Sequence, residues 1–504
     1  MENHGNVTAS CAERADAGDA LCSVRHARSD YVKLRLMSDV DPASIDELRS
    51  RFRGEIVVSS DPGYDEARAV WNATVDKRPG VIARCADTED VVASVAFARR
   101  SGLEIAVRGG GHSVSGHSST DGGIVIDLRR MRSVTVDPDA RTATVGGGSL
   151  IRDLDAETQR FGLGTTGGMV SHTGVGGLTL GGGYGYLARR FGLACDNLLS
   201  AEVVLADGSV VRTSASNEPE LFWGLRGGGG NFGIVTSFEF RLHRLEPTVF
   251  SAELTYAAEH GPAVLRAFRD LVFARDDIVS DTYTGAVSRS WPGVDESLVG
   301  RPIVTAGFVV TGPNLEEGEA IAAQLRSVAP PLDENVQRQP YLTLQSSGDE
   351  ISAPGVSRRY WKSSAFSELP DALLDAFLER GIASASVSPD LGLEMLASFG
   401  GAVARVSEDE TAFGHRDAQV DFLALARWTD PSQDEDHIAV CRANWEAIAP
   451  FADAGVYVNN LGSEDRAREA YGEEKYRRLV ALKDRVDPEN VFHLNANILP
   501  SLTT

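Results

Sequence analysis

The 504-residue sequence predicts an α+β fold. Three observations support this prediction: helical and strand-like patterns alternate in the first half, glycine-rich loops separate the strands, and the middle region has a different arrangement of helices and strands. In the first half, a helical pattern over 88–101, with Thr88 as its predicted N-cap, leads into strand-like runs at 103–108 and 124–128. Loops rich in glycine separate these strands. Strand and helix therefore alternate in this part of the chain.

The middle of the chain has a different pattern. Glu246 and Pro247 interrupt the first part. Beyond them, helical patterns at 263–273 and 315–328 accompany a strand-like run at 303–310. This combination predicts an antiparallel sheet flanked by helices.

The first 40 residues carry little hydrophobic periodicity, and we predict that they are disordered. Met37 resembles a natural start, with a helix N-cap just beyond it. The ordered protein is therefore expected to begin near residue 41.

A run of three glycines, Gly109 to Gly111, ends on His112 between two predicted strands. Consecutive glycines let backbone N–H groups point into one concavity, which can hold a diphosphate without basic side chains. The dinucleotide fingerprint of nucleotide-binding folds requires the glycines to open a helix. Residues 113–123 are rich in turn formers and cannot form one, so that interpretation fails.

Further glycine blocks follow in a fixed order. They occur at 146–148, at 167–168, through 174–185 and at 227–233. Near the C-terminus, Tyr457 begins a Tyr-Val-Asn-Asn motif. The ordered combination is far more specific than any single glycine motif.

In these motifs, which span 79–242 and about the last fifty residues, the chain resembles the FAD-linked oxidases of the vanillyl-alcohol oxidase superfamily, berberine-bridge-enzyme-like branch. The resemblance implies a two-part PCMH-type FAD-binding domain over 41–247 and a substrate domain over 248–450. Residues 451–504 would return to complete the FAD domain.

The resemblance also implies that FAD is bound covalently through His112 alone. The alternative is a histidine that only hydrogen-bonds the glycine loop. Many relatives have a second bond through a cysteine, but Val170 occupies that position, and Cys195 lies in another motif as an expected buried apolar residue. The implied cofactor-binding residues are Arg108, Gly109, Gly110, Gly111, His112, Ser113, Gly167, Gly168, Ser171, His172, Gly174, Gly176, Gly177, Gly182, Gly183, Gly185, Asn231, Gly233, Ile234, Val235, Asn459, Asn495 and Asn497.

Two catalytic residues are implied. Tyr457, expected to follow an apolar strand, would take a substrate proton if its neighbours lower its pKa from about 10; alternatively it anchors the strand. Thr173 would face the reactive edge of the flavin and influence oxygen access, or its hydroxyl would cap a backbone N–H.

The predicted function is an oxidase that removes hydride from a C–H bond beside a hydroxyl or amine, with flavin N5 as hydride acceptor and O₂ reduced to hydrogen peroxide. Aromatic, alkaloid-like or polyketide-like molecules are favoured as substrates, with carbohydrates as the alternative. A flavin dehydrogenase with another acceptor, or a flavin-bearing binding or resistance protein, remains open.

Composition limits the partners. A net charge of −23 argues against nucleic acid and anionic membranes and favours a small neutral or cationic substrate. Five scattered cysteines indicate neither a disulfide framework nor a metal site. The sequence shows no signal-peptide pattern and no long apolar stretch, which predicts a cytoplasmic protein.

Overall fold

The structure, a computed structural model, describes residues 40–288, 295–387, 393–462 and 466–501. It confirms the α+β fold class. The predicted disorder of the first residues and the suggested start at Met37 lie outside the described residues, apart from Val40. Within the described ranges, no helix has the length and apolar character needed to cross a membrane.

A four-stranded mixed sheet forms the first layer, in the order β1-β2-β4-β3. Asp41 caps the first helix through the backbone N–H groups of Ala43 and Ser44, as predicted. Asp87, and not Thr88, caps α3, because its carboxylate accepts from the N–H of Asp90. The elements are α1 (Pro42–Arg51), β1 (Glu55–Val58), α2 (Tyr64–Arg68), β2 (Val81–Arg84), α3 (Thr88–Ser101), β3 (Ile105–Arg108) and β4 (Ile124–Asp127).

The second layer is a five-stranded antiparallel sheet in the order β5-β6-β10-β8-β9. Phe238 and Phe240 of its central strand are buried beneath the helices. Its elements are β5 (Val134–Asp137), β6 (Thr142–Gly146), α4 (Ile151–Gln159), β7 (Leu163–Gly164), α5 (Val175–Leu180), α6 (Ala188–Phe191), β8 (Leu198–Val204), β9 (Val210–Ser214), α7 (Pro219–Leu225), β10 (Ile234–Arg241) and β11 (His243–Arg244), which pairs with β7.

The third layer is a seven-stranded antiparallel sheet in the order β15-β12-β14-β13-β17-β18-β16. The predicted helix 315–328 keeps its bounds, and the predicted helix 263–273 ends as an α-helix at Phe268 and continues as one π-turn. The elements are β12 (Thr248–Ala257), α8 (Gly261–Phe268), β13 (Val279–Ala286), β14 (Pro302–Val310), α9 (Leu315–Val328), β15 (Asp333–Pro340), α10 (Tyr341–Ser346), β16 (Arg358–Phe366), α11 (Asp371–Val387), β17 (Leu393–Ser398), α12 (Ala402–Arg405), β18 (Val420–Trp428) and α13 (Asp434–Ile448).

Alternation along these strands divides the third sheet into two faces. One face carries Leu254, Phe308, Leu396 and Phe422, which are buried in one core with helices α8, α9, α11 and α13. The opposite face points toward the first two layers. The helices therefore cover one side of the sheet and leave the other side free to bound a cavity.

The C-terminal segment returns to the second layer with α14 (Ala467–Tyr471) and α15 (Glu473–Val486). Asn231 holds it in place: its amide donates to the carbonyl of Ala496 at 3.0 Å and accepts from the N–H of Ile498 at 3.0 Å. The prediction of an apolar strand before Tyr457 is wrong. Residues 452–456 form a loop, attached to β16 through hydrogen bonds to Ala365.

Candidate functional site

A cavity of about 880 Å³ lies where the three layers meet. Its volume is within the range of about 300–1,000 Å³ that is typical of small-molecule sites. Most of the predicted site residues line it: Gly109, Gly110, Gly111, His112, Ser113, Gly168, Thr173, Gly174, Gly176, Gly177, Gly233, Ile234, Val235, Tyr457, Asn459, Asn495 and Asn497.

One wall of the cavity, here called the glycine wall, is formed by residues 109–113, 174–177 and 233–235. A β-carbon on Gly110 would overlap the backbone of Gly174, and a β-carbon on Gly174 would overlap the backbone of Gly110. The two loops therefore touch backbone to backbone. Only glycine permits that approach, and it leaves peptide groups rather than side chains facing the cavity.

Several predicted cofactor-binding residues lie behind the wall instead of lining it. The guanidinium of Arg108 is buried and donates to the carbonyl of Ala67 at 2.5 Å, while Ser171 donates to Asp349. These side chains support the loops from behind. The predicted residues outside the cavity lining are Arg108, Gly167, Ser171, His172, Gly182, Gly183, Gly185 and Asn231.

The side chain of His112 contacts two neighbouring rings, those of His172 and Trp71. Its Nε2 lies 2.6 Å from Nδ1 of His172, and its imidazole stacks on Trp71 with the ring centroids 4.7 Å apart. Burial lowers the pKa of His112 to about 3, with a further contribution from His172, so the ring is neutral near pH 7. Among the described residues Nδ1 of His112 has no hydrogen-bond partner.

The position expected for a second cysteine lines the cavity as Val170. Cys195 is fully buried in an apolar cluster behind the lining residues Phe399 and Tyr457, and burial raises the pKa of its thiol. Cys85 and Cys441 are also buried, and none of the three described cysteines lines the cavity.

Tyr457 lines the cavity, and its phenol oxygen accepts three hydrogen bonds. The donors are the N–H of Gly183 at 2.9 Å, the N–H of Tyr184 at 3.2 Å and the amide of Asn459 at 2.8 Å. These donors lower the pKa of Tyr457, but burial outweighs them and raises it to about 12. A tyrosine that takes a substrate proton needs a lowered pKa, so Tyr457 does not meet the condition for a base.

Thr173 lines the cavity beside the glycine wall. Its backbone N–H donates to the carbonyl of Val170 at 3.1 Å. Its hydroxyl makes no hydrogen bond to any group in the described part of the chain. The geometry therefore does not support the capping alternative.

Opposite the glycine wall is the sheet wall, formed by Tyr283, Trp361, Met395, Asp421 and Leu423 of the third sheet. Sequence reasoning did not identify this set. Strand alternation gives two faces of a sheet but does not say which of them borders a cavity.

Asp421 is the one carboxyl group of the sheet wall. The side chain is 3% exposed, and Oδ2 accepts from the amide of Asn460 at 2.7 Å. Oδ1 is buried without a hydrogen-bond partner among the described residues. Burial raises the pKa of Asp421 well above its usual value. A signal existed in the sequence: Asp421 is the one acidic residue of the strand Val420–Trp428, and a buried carboxyl without an ion pair is costly.

The cavity fits the cofactor that the resemblance implies. Ser118, Asn495 and Asn497 line the cavity, and each has a buried side-chain oxygen that makes no hydrogen bond to any described residue. Such atoms normally have hydrogen-bond partners, so a polar ligand is expected there. Together with the peptide groups of the glycine wall they suit a dinucleotide.

Comparison with known proteins agrees with this geometry. Residues 79–214 match a family model described as an FAD binding domain, and residues 450–499 match one described as berberine and berberine like. The (R)-6-hydroxynicotine oxidase of Paenarthrobacter nicotinovorans is 33% identical over 469 residues, covering 89% of this chain and 97% of the relative.

Two further comparisons extend the range of relatives. The glucooligosaccharide oxidase of Sarocladium strictum is 30% identical, covering 85% of this chain and 89% of the relative. The crystal structure of 6-hydroxy-D-nicotine oxidase from Arthrobacter nicotinovorans has a TM-score of 0.77 at 31% identity, covering 89% of this chain and 98% of that chain. The similarity therefore extends over all three layers.

Proposed function

The chain belongs to the family of FAD-linked oxidoreductases that join an FAD-binding domain to a berberine-like C-terminal segment, and on this basis we propose that it oxidises a C–H bond beside a hydroxyl or amine of a small molecule, with oxygen as electron acceptor. One observation carries the proposal: the cavity joins a glycine wall to a largely apolar sheet wall, in which Oδ1 of Asp421 has no hydrogen-bond partner among the described residues. Bound FAD would supply the electron chemistry, taking two electrons as hydride and passing them on. Cytoplasmic residence stays a prediction from the sequence.

The residues of this chain would hold the cofactor in two ways. Peptide groups of the glycine wall would cradle the diphosphate, and the side-chain oxygens of Asn459, Asn495 and Asn497 would accept hydrogen bonds from hydroxyl or N–H groups of the cofactor. His112 would form a single covalent bond, because its neutral ring keeps a lone pair and its Nδ1 has no partner among the described residues. Val170 offers no second attachment.

The tether is tested on denatured protein. Intact mass and flavin fluorescence of the wild type should show flavin retained on the chain, and His112→Ala should release it. Flavin released from both proteins would show that the binding is not covalent.

Asp421 is our choice for the group that takes the substrate proton. Asp421 lines the cavity, its Oδ1 has no partner among the described residues, and burial raises its pKa, which makes the ionised carboxyl a stronger base. Tyr457, the acceptor predicted from the sequence, has a pKa of about 12, and its oxygen already accepts three N–H groups. Its hydroxyl hydrogen must point elsewhere, so Tyr457 would donate a hydrogen bond to the substrate.

The function is tested by oxygen consumption and peroxide formation with aromatic amines, aryl alcohols and oligosaccharides. We expect a stoichiometric ratio of peroxide to oxidised substrate. Turnover with an artificial acceptor but without peroxide would instead identify a dehydrogenase, and tight binding of a ligand without conversion would identify a binding protein.

A further inference from the structure

Three carboxyl groups of the third sheet lie in one line across its strands. Glu253 pairs with Gly307, Gly307 with Asp281, Asp281 with Ala397, and Ala397 with Asp421. Directly paired residues of neighbouring strands share a face of the sheet. Glu253, Asp281 and Asp421, here called the acidic row, therefore point to the same side, which is the side of the cavity.

Small residues separate the members of the acidic row and leave room between them. A β-carbon on Gly307 would overlap Oδ1 of Asp281, so the Asp281 side chain lies over this glycine. Ala397 lines the cavity between Asp281 and Asp421. The Tyr283 hydroxyl donates to Oδ2 of Asp281 at 3.3 Å and also lines the cavity. Asp421 lines the cavity, whereas half-buried Asp281 lies directly behind the lining residues Tyr283 and Ala397, between them and exposed Glu253.

The acidic row has no compensating cation. Within the described ranges, none of its three carboxyl groups forms an ion pair. On the adjoining positions of the same face, Ser251, Thr255 and Asn335 are uncharged. Burial and the charge of Glu253 raise the pKa of Asp281 to about 7. A cationic ligand would supply the missing counter-charge.

The rest of this side of the cavity is apolar. Trp361, Met395, Leu423 and Leu425 offer one side-chain hydrogen-bonding group between them, the indole N–H of Trp361. A saccharide carries a hydroxyl on nearly every carbon, and burying these groups without partners is unfavourable. An aromatic or aliphatic body suits this surface.

We propose that the substrate is an apolar, aromatic molecule with a protonated amine, which is bound by Asp281 and guided by Glu253 while its reacting end faces Asp421. Strands β13 and β18 are two positions apart in the sheet, which corresponds to about 10 Å. An arylalkylamine has about this length. The inference rests on the proposed function for the role of Asp421, but its test does not depend on turnover.

The test is calorimetric binding to the flavin-loaded protein above neutral pH. The probes are tyramine, its neutral isostere tyrosol, the anion 3-(4-hydroxyphenyl)propionate and cellobiose. We expect tyramine to bind about tenfold more tightly than tyrosol, and the anion and cellobiose to bind more weakly than either. Asp281→Asn should remove most of the preference for tyramine, and Glu253→Gln should reduce it about threefold.

Asp139→Asn is the matched control, since it removes the same charge from an exposed position in the turn between β5 and β6. It should leave the preference unchanged. Circular dichroism and flavin absorbance check that Asp281→Asn is folded, and the exposed Glu253→Gln decides the question if it is not.

The inference is overturned if tyramine and tyrosol bind equally, if cellobiose binds best, or if Asp281→Asn behaves like Asp139→Asn. Failure of the proposed function is distinct. If the protein prefers amines but forms no peroxide with any compound, the oxidase proposal is wrong and the amine-site proposal stands. If it forms peroxide only with saccharides, the oxidase proposal stands and the amine-site proposal is wrong.

Discussion

The glycine wall and the sheet wall bound one cavity but are built on different principles. The glycine wall presents peptide groups, and its shape depends on residues such as Gly110 and Gly174 that have no side chain. The sheet wall presents side chains such as Asp421 and Trp361, which strand alternation points inward. The first wall suits one constant cofactor, and the second can change its substrate by single substitutions without changing the fold.

The largest expected effect concerns the sheet wall. Asp421→Asn keeps the shape of the side chain but removes its ability to accept a proton, so turnover should fall about 10²- to 10⁴-fold while the flavin content stays constant. Stopped-flow reduction of the flavin measures this directly. Tyr457→Phe serves as the comparison, and a greater loss in that variant than in Asp421→Asn would return the role of base to the tyrosine.

The glycine wall is tested by Gly110→Ala. The added methyl group would collide with the Gly174 backbone, and such overpacking costs about 1–3 kcal/mol, which weakens flavin binding about 5- to 150-fold. The flavin-to-protein absorbance ratio of the purified protein is the measurement. In the control Gly312→Ala, which lies outside the cavity lining, the new β-carbon meets nothing within 4 Å. Equal flavin loss in both variants would show that the close contact between the Gly110 and Gly174 backbones does not explain the effect.

A third prediction concerns the junction of the two walls. Asn72 is buried and bonds the carbonyl of Val114 at 2.7 Å and both backbone groups of Arg359 at 2.9 Å. Asn72→Ala should lower the free energy of unfolding by about 2 kcal/mol, because buried backbone groups lose their partners. Urea denaturation measures this loss. Asn314→Ala, at an exposed position without a side-chain capping bond, should change little, and similar losses in both variants would count against the junction.

The smallest effect is the pH dependence. Asp421 accepts a proton only when it is ionised, and its pKa is raised, so turnover should fall about tenfold for each pH unit below that raised value. An ordinary carboxyl would lose activity only near pH 4. A profile of the rate of flavin reduction against pH locates this decline. If the residual activity of Asp421→Asn shows the same decline at low pH, Asp421 is not the titrating group.

The two walls also differ in how far the sequence predicted them. Gly109 to Gly111 and Gly174 were identified because close backbone contact requires glycine, and that requirement is visible locally. Asp421 was missed, because its position beside Ala397 depends on a strand pairing between segments that are more than twenty residues apart. Tyr457 was identified, but burial raises its pKa, so the lowered pKa that a base requires is not met. That burial is set by distant segments: two of its three donors, Gly183 and Tyr184, come from a loop some 270 residues earlier.

The return of the C-terminal segment to the second layer has a consequence for biosynthesis. A ribosome that has made residues 1–450 has produced both glycine loops but not Tyr457, Asn495 or Asn497, which complete the cavity. We therefore expect stable cofactor binding only after this segment has been made. A premature stop codon directly after codon 450 would yield a chain that has every described strand, the last of which ends at Trp428, but lacks the C-terminal lining residues, and we expect the proteases and chaperones of the cell to act on its uncovered surface.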